Sequence, residues 1–225
     1  FSADFRNHPV SLLTSELFEL HDKSRFEIIA FSFGADDKSP IRLRLSQAFD
    51  KFIDVSSMSD LDIAILSRNL NVDVAVDLSG HTADSRLGIF AYQAAPIQVN
   101  WLGYPGTIGS EFIDYIVADQ VLIPKEQQQF YTEKVVYLPN TYMVDDSKRV
   151  ASSKRFTRAE CGLPENAFVF CCFNNDYKFN IEVLDLWAKI LLKAPDSVLW
   201  ISENNAEFRH NLLNEFTKRG IDHDR

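Results

Sequence analysis

The sequence predicts a doubly wound, Rossmann-like α/β domain with a parallel sheet, followed by the start of a second Rossmann-like unit. Short apolar runs alternate with helix-period segments along most of the 225 residues. The runs are apolar almost throughout rather than at every second position, as in strands covered on both faces. The alternation lapses once, over 140–160, and then resumes.

In chain order, "FSADF" (1–5) reads as the tail of a strand. "PVSLLTSELFEL" (9–20) carries apolar residues at helical spacing, and "RFEIIAFSF" (25–33) is strand-like. "SDLDIAILSRNL" (59–70) and "SRLGIFAYQ" (85–93) read as helices between the strands "VDVAVDL" (72–78) and "PIQVNWL" (96–102). "DYIVAD" (114–119) and "KVVYL" (134–138) complete the first unit. The polar stretch 141–160 is expected to link a first lobe, 1–140, to a second, 161–225. The second holds strands at 167–173 and 197–202 and helices near 180–193 and 206–219. "RGIDHDR" stops where another strand is due, so the chain is expected to be a piece of a longer protein.

Composition narrows the function classes. A net charge of −9 argues against a nucleic-acid binder, which needs clustered Lys and Arg for phosphates. No apolar run approaches the roughly 18–20 residues of a membrane span, and no stretch has the make-up of a secretory signal. The three cysteines, Cys161, Cys171 and Cys172, lack CxxC spacing and are odd in number, which favours reduced thiols and a cytoplasmic setting. "DLD" (60–62) has the spacing of some metal-dependent nucleotide-sugar enzymes. It opens a helix, however, and reads as helix-start charge. His21 and His210 lie on different units, and no metal site is expected.

Ligands of open parallel sheets bind beyond the carboxyl ends of the strands, and four loops leave that edge. In "ADFRNHPV" (3–10), Pro9 suits the first helical turn and places His8 at the helix mouth, four residues after Asp4. His8 is either a functional group oriented by Asp4 or a plain cap. In "DLSGHTADSR" (77–86), His81 and Thr82 precede a helix that carries Arg86, as an anion cradle or as ordinary capping. "WLGYPGTIG" (101–109) has more glycines than a plain connection needs, and glycines let a ligand approach the main chain. In "CCFNNDYKFN" (171–180), Asn175, Tyr177 and Lys178 cluster before a helix, where a lysine is a natural partner for phosphate.

Taken together and in this order, "DFRNHPV", "GHTADSR", "APIQVNWLGYPGTIGSEFIDYIVAD", "YTEKVVYLPNTY" and "GLPENAFVFCCFNNDYKFN…W…ILLKAPDSVLWI" resemble the catalytic region of the protein O-GlcNAc transferases, glycosyltransferase family 41. The resemblance implies a glycosyltransferase B-type fold and a donor, UDP-N-acetylglucosamine, held between two lobes. It implies inverting transfer to protein Ser or Thr hydroxyls, with no metal or other cofactor. His8 and Asp4 would lie beside the reacting centre. Leu102, Gly103 and Pro105 would contact the sugar, with Arg86, His81 and Thr82 in the supporting loops. Lys178 would neutralise the leaving diphosphate, flanked by Tyr177 and Asn175. Asn175 stands where the family usually has Gln, and Val10 where Thr is common. The family's His-Thr-Thr-Gly stretch, an upstream histidine-bearing segment and its tetratricopeptide repeats are not in this sequence. The isolated chain is therefore expected to be inactive and to bind UDP weakly at best. The alternatives are a relative using another nucleotide sugar, such as a fucose donor, and a non-catalytic binding fragment.

Overall fold

In a computed structural model, which describes residues 1–203 and 205–225, the chain divides into two compact units, Phe1–Val150 and Ala151–Arg225. The first is the predicted doubly wound α/β unit. Helix α1 (Pro9–Leu20) is followed by β1 (Ile29–Ser32), α2 (Pro40–Ala48) and β2 (Lys51–Asp54). Then come α3 (Asp60–Asn69), β3 (Val74–Asp77), α4 (Gly88–Ala91), β4 (Ile97–Asn100), β5 (Tyr115–Ala118) and β6 (Lys134–Tyr137).

All pairings are parallel: β1 with β2, and β3–β4–β5–β6 in a row. The predicted strand tail joins the two groups. Ser2 pairs in parallel with Ser32, its N–H donating to the Phe31 carbonyl at 3.1 Å. On the other side the Phe1 nitrogen donates to the Val76 carbonyl at 2.9 Å, and Leu78 N–H to the Phe1 carbonyl at 3.1 Å. The sheet thus runs β2–β1–(Phe1–Ser2)–β3–β4–β5–β6, and the direction of winding reverses at the segment 1–2.

Alternation along the strands explains the two covered faces. Ala30 packs with Phe5, Val10, Phe18, Leu45 and Phe49 under α1 and α2. Its neighbour Phe31 points the other way, stacked on Phe1 at 4.4 Å, with Ile63, Ala64, Ile89 and Phe90 of α3 and α4.

Several boundaries differ from the sequence reading. Helix α2 and strand β2 carry no clear periodic signal. "IRLRL" alternates with period two like a strand, yet Ser39 caps the segment by accepting from Arg42 N–H, with Pro40 in the first turn. Helix α4 is shorter than the predicted 85–93, beginning at Gly88. The polar stretch after 140 does not leave the first unit until Val150. Tyr142 N–H donates to Asp119 at 2.9 Å, and Ser147 N–H to Glu16 at 2.6 Å.

Arg44 fastens the same stretch. Its guanidinium grips Glu19 through two bonds, at 2.7 and 2.9 Å, and also pairs with Asp146, a carboxylate only 2% exposed. Arg44→Ala would leave that carboxylate buried without a cation, so a loss of about 3–5 kcal/mol is expected in urea unfolding at pH 7. Arg44 and Lys148 also hold the Glu19 carboxyl at about 2, below its ordinary 4.5. A depressed carboxyl stabilises the fold above its unfolded value and loses that contribution as pH falls toward 2. The Arg44→Ala unfolding curves should therefore show a weaker dependence on pH between about 4.5 and 2.

The second unit is built on β7 (Phe168–Cys172) and β8 (Ser197–Ile201), paired in parallel, with α5 (Ile181–Lys193) and α6 (Ala206–Lys218). Leu184, Ala188 and Leu191, at spacings of four and three, form the buried stripe of α5 and meet Phe216 and Ile221.

Candidate active site

In parallel sheets the crevice for ligands opens where the strand order reverses. Here that point lies between Phe1–Ser2 and β3, and the two loops leaving it are 3–8 and 78–87, which carry His8 and His81.

His8 is the N-cap of α1, and its Nδ1 accepts from Val10 N–H at 3.3 Å. The same Nδ1 lies 3.5 Å from Oδ2 of Asp4, which is 7% exposed. One ring nitrogen therefore has two competing neighbours. With the proton on Nε2 the ring caps the helix. With it on Nδ1 the ring faces Asp4 and leaves the Nε2 lone pair outward. The capping and functional readings of His8 are two tautomers of one arrangement. Arg6, which the sequence reading passed over, spans the crevice and reaches both Asp4 and Asp84 at 3.5 Å.

Across the crevice, buried Asp77 ends β3 and accepts from Ser79 N–H at 3.0 Å and Gly80 N–H at 2.9 Å. Burial pushes its carboxyl up, against the pull of those two amides. His81 Nε2 bonds the Ile108 carbonyl at 3.0 Å, and its ring meets Tyr104 edge-on at 5.3 Å. Thr82 donates its hydroxyl proton to the Ser79 carbonyl. Both side chains act as struts that hold the 78–87 loop together and against the loop after β4.

That second loop is wedged closely against the first. A Cβ on Gly103 would sit 1.9 Å from the Leu78 carbonyl oxygen, and one on Gly80 2.4 Å from Tyr104 Cβ. Gly103→Ala must push two main chains apart. A stability loss of about 1–3 kcal/mol, read in a thermal melt, is expected.

Two of the candidate residues turn their side chains away from the crevice. Leu102 does not offer its side chain to the crevice. Gly103 N–H bonds the Trp101 carbonyl at 3.0 Å, closing a three-residue turn with Leu102 at φ 72°. This turn sends the Leu102 side chain inward, among Phe5, Val10 and Leu78. Only its main chain is left for a ligand. Arg86 is likewise turned away, donating to Asp60 at 2.7 Å and to the Met58 carbonyl at 2.7 Å. It ties the loop to the start of α3, where Asp62 and Ser59 bond each other as a cap. The "DLD" aspartates are thus engaged at the helix start, as expected. No cluster of three or more metal-ligating side chains occurs among the described residues.

The 101–109 loop is held chiefly by residues that lie in the resembling stretches but to which the sequence pattern assigns no role. Asn100, fully buried, donates to the Tyr104 and Gly106 carbonyls at 3.1 Å each. Glu133, 4% exposed, accepts from Thr107 Oγ1 at 2.7 Å and Ile108 N–H at 2.6 Å. Tyr131 donates to the Pro105 carbonyl at 3.3 Å; burial, with the Glu133 charge beside it, pushes its phenol up. An acid before a strand and an amide inside one look ordinary in sequence. The partners of Glu133 lie about 25 residues back along the chain, while those of Asn100 lie four and six residues ahead, within the loop itself.

In the second unit, Asn175, Tyr177 and Lys178 follow β7 in a tight turn over 176–178, all exposed. Asn180 caps α5 by accepting from Val183 N–H at 2.9 Å, so Lys178 stands two residues before that cap.

A parallel sheet with its loops gathered at a reversal of strand order is the ground plan of nucleotide-binding α/β domains. The chain belongs to glycosyl transferase family 41, which it matches over residues 1–155 and 150–225. It is 38% identical over 205 residues to the probable UDP-N-acetylglucosamine–peptide N-acetylglucosaminyltransferase SEC of Arabidopsis thaliana, covering 89% of this chain and 21% of that protein. It is 34% identical over 207 residues to the corresponding SPINDLY protein of Oryza sativa subsp. japonica, covering 88% and 21%. Among solved structures, a mutant O-GlcNAc transferase from Thermobaculum terrenum superposes with a TM-score of 0.83 at 31% identity, covering 98% of this chain and 41% of that one. The chain thus spans about a fifth of these two plant relatives. Its parallel α/β architecture agrees with that neighbour, and the fold is glycosyltransferase B-type.

Proposed function

We propose that this chain is part of the catalytic region of a protein glycosyltransferase that moves N-acetylglucosamine from UDP-GlcNAc to Ser or Thr hydroxyls with inversion. The reading rests above all on Asp4, His8 and the glycine-rich loop gathering at one sheet edge, in a chain whose relatives are named UDP-N-acetylglucosamine–peptide N-acetylglucosaminyltransferases. The acceptor oxygen forms a bond to the anomeric carbon as the bond from that carbon to the diphosphate oxygen breaks. The electron pair leaves with UDP, and the hydroxyl proton passes to a base. His8, in the tautomer that turns Nδ1 toward Asp4, presents Nε2 for that proton. Gly103, Pro105 and the Leu102 main chain border the sugar, with Tyr104 wedged behind them. Lys178, with Tyr177 and Asn175, meets the diphosphate, where negative charge grows as the bond breaks.

On this reading no metal or other cofactor takes part, and acceptor proteins are captured by tetratricopeptide repeats of the full-length protein. The free thiols of Cys161, Cys171 and Cys172 suit a reducing cytoplasm. The test supplies the full-length protein with radiolabelled UDP-GlcNAc or a fucose nucleotide, a Ser/Thr peptide library and a chelator. Label from UDP-GlcNAc alone, undiminished by chelation, is the expected result. Label from the fucose donor would assign the other branch, and label from neither a binding role.

A further inference from the structure

We propose that Glu133 is the positioning residue of the donor-sugar loop, acting through Thr107 and Ile108; this rests on the sugar role given to that loop above. The far half of the loop, 107–109, leans on a residue outside it. Gly103, Gly106 and Gly109 leave the loop's main chain free to sample many conformations, and Leu102 sits at a φ that a branched residue rarely adopts. The Asn100 amide and the Trp101–Gly103 turn fix its near half, and the side chains that hold 107–108 come chiefly from the segment that leads into β6. Glu133 Oε1 takes the Ile108 N–H, and Oε2 takes the Thr107 hydroxyl, with the Thr132 hydroxyl at 3.3 Å. Thr107 Oγ1 in turn receives the N–H groups of Gly109 at 3.0 Å and Thr132 at 3.3 Å.

The choice of an acid here is informative. A carboxylate buried to this degree is costly unless its oxygens are met by donors, and no Lys, Arg or His forms an ion pair with it among the described residues. An ionised carboxylate only accepts, and everything facing it donates. Glutamine has the same shape but would turn an N–H₂ toward Thr107 Oγ1. That oxygen already receives two N–H groups, so its own proton would lose its acceptor. Glu133→Gln therefore unlocks the loop without opening a cavity.

In the full-length protein, Glu133→Gln and Glu133→Ala would be compared with wild type. The readouts are amide hydrogen exchange over 103–109, kcat and KM for UDP-GlcNAc, and melting temperature. Exchange at Ile108 and Gly109 should accelerate at least about tenfold, the loss expected for one bond to a charged group. The donor KM should rise or kcat fall by a similar factor, with Glu133→Gln melting close to wild type. Glu133→Asp, one carbon shorter but acceptor-only, should recover part of the activity that Glu133→Gln loses. Unchanged exchange in Glu133→Gln and Glu133→Ala overturns the clamp whatever the enzyme does. Faster exchange with unchanged kcat and KM overturns the role in donor handling. A wild-type protein that transfers nothing from UDP-GlcNAc overturns the function proposed above, while exchange still judges the clamp.

Discussion

His8→Ala in the full-length protein is expected to lower sugar transfer about 10²–10⁴-fold, the range of a positioned acid–base group. Two losses are combined in that variant, because His8 also caps α1. A missing cap costs about 1 kcal/mol of stability and would not by itself remove turnover. His8→Asn separates them. Asparagine is a good cap, so its melting temperature should return toward wild type while transfer stays low. Asp4→Asn sharpens the test by weakening the tautomer that keeps the Nδ1 proton and frees Nε2. Its activity should fall with His8 still in place. Turnover near wild type in His8→Asn would reduce His8 to a cap.

Lys178→Ala is expected to cut kcat about 10²–10³-fold and to change the donor KM far less. The lysine stands before α5, where a phosphate would also find free main-chain N–H groups. Binding of intact donor can draw on those amides. The charge that appears as UDP departs calls on the ammonium, and interactions that strengthen only then show in kcat. Lys178→Arg should recover only part of the rate, since the guanidinium is broader and fixed in a planar fork. Turnover and donor titration of the same preparations decide the matter. Equal kcat in wild type and Lys178→Ala would make it an ordinary surface lysine.

Most of the first unit was legible because its strands are apolar on both faces and its helices carry clear stripes. α1 matches its predicted span, and Ile29–Ser32, Val74–Asp77 and Ile97–Asn100 fall inside the predicted runs. α2 was hidden because apolar and basic residues alternate in "IRLRL". There tertiary contacts overrule the pattern: Arg42 and Leu45 are buried while Leu43 is exposed. In the site, motifs pointed to the loops but not to how each side chain faces. The turn that buries the Leu102 side chain and leaves only its main chain to the crevice, and the Asp60 partner through which Arg86 supports its loop, show only in the structure. Glu133 and Asn100 lie inside the resembling stretches, yet nothing in their local sequence assigns either a role.

The seam at Phe1 and Ser2 also has a consequence for the order in which this unit is assembled. β1 pairs with β2 about twenty residues away, and β3 to β6 pair in sequence, so each half closes on comparatively local contacts. Joining the halves requires the Phe1 contacts with Val76 and Leu78, over seventy residues distant. Contacts of such separation close larger loops and tend to form late. Each half is expected to act as a cooperative folding block with the seam as the last stitch, an order that faster amide exchange at Leu78 than inside β1 or β4 would report. His8 and His81 lie on the two sides of that stitch. The crevice lies across that seam, so opening it is expected to dismantle the site while both half-sheets persist.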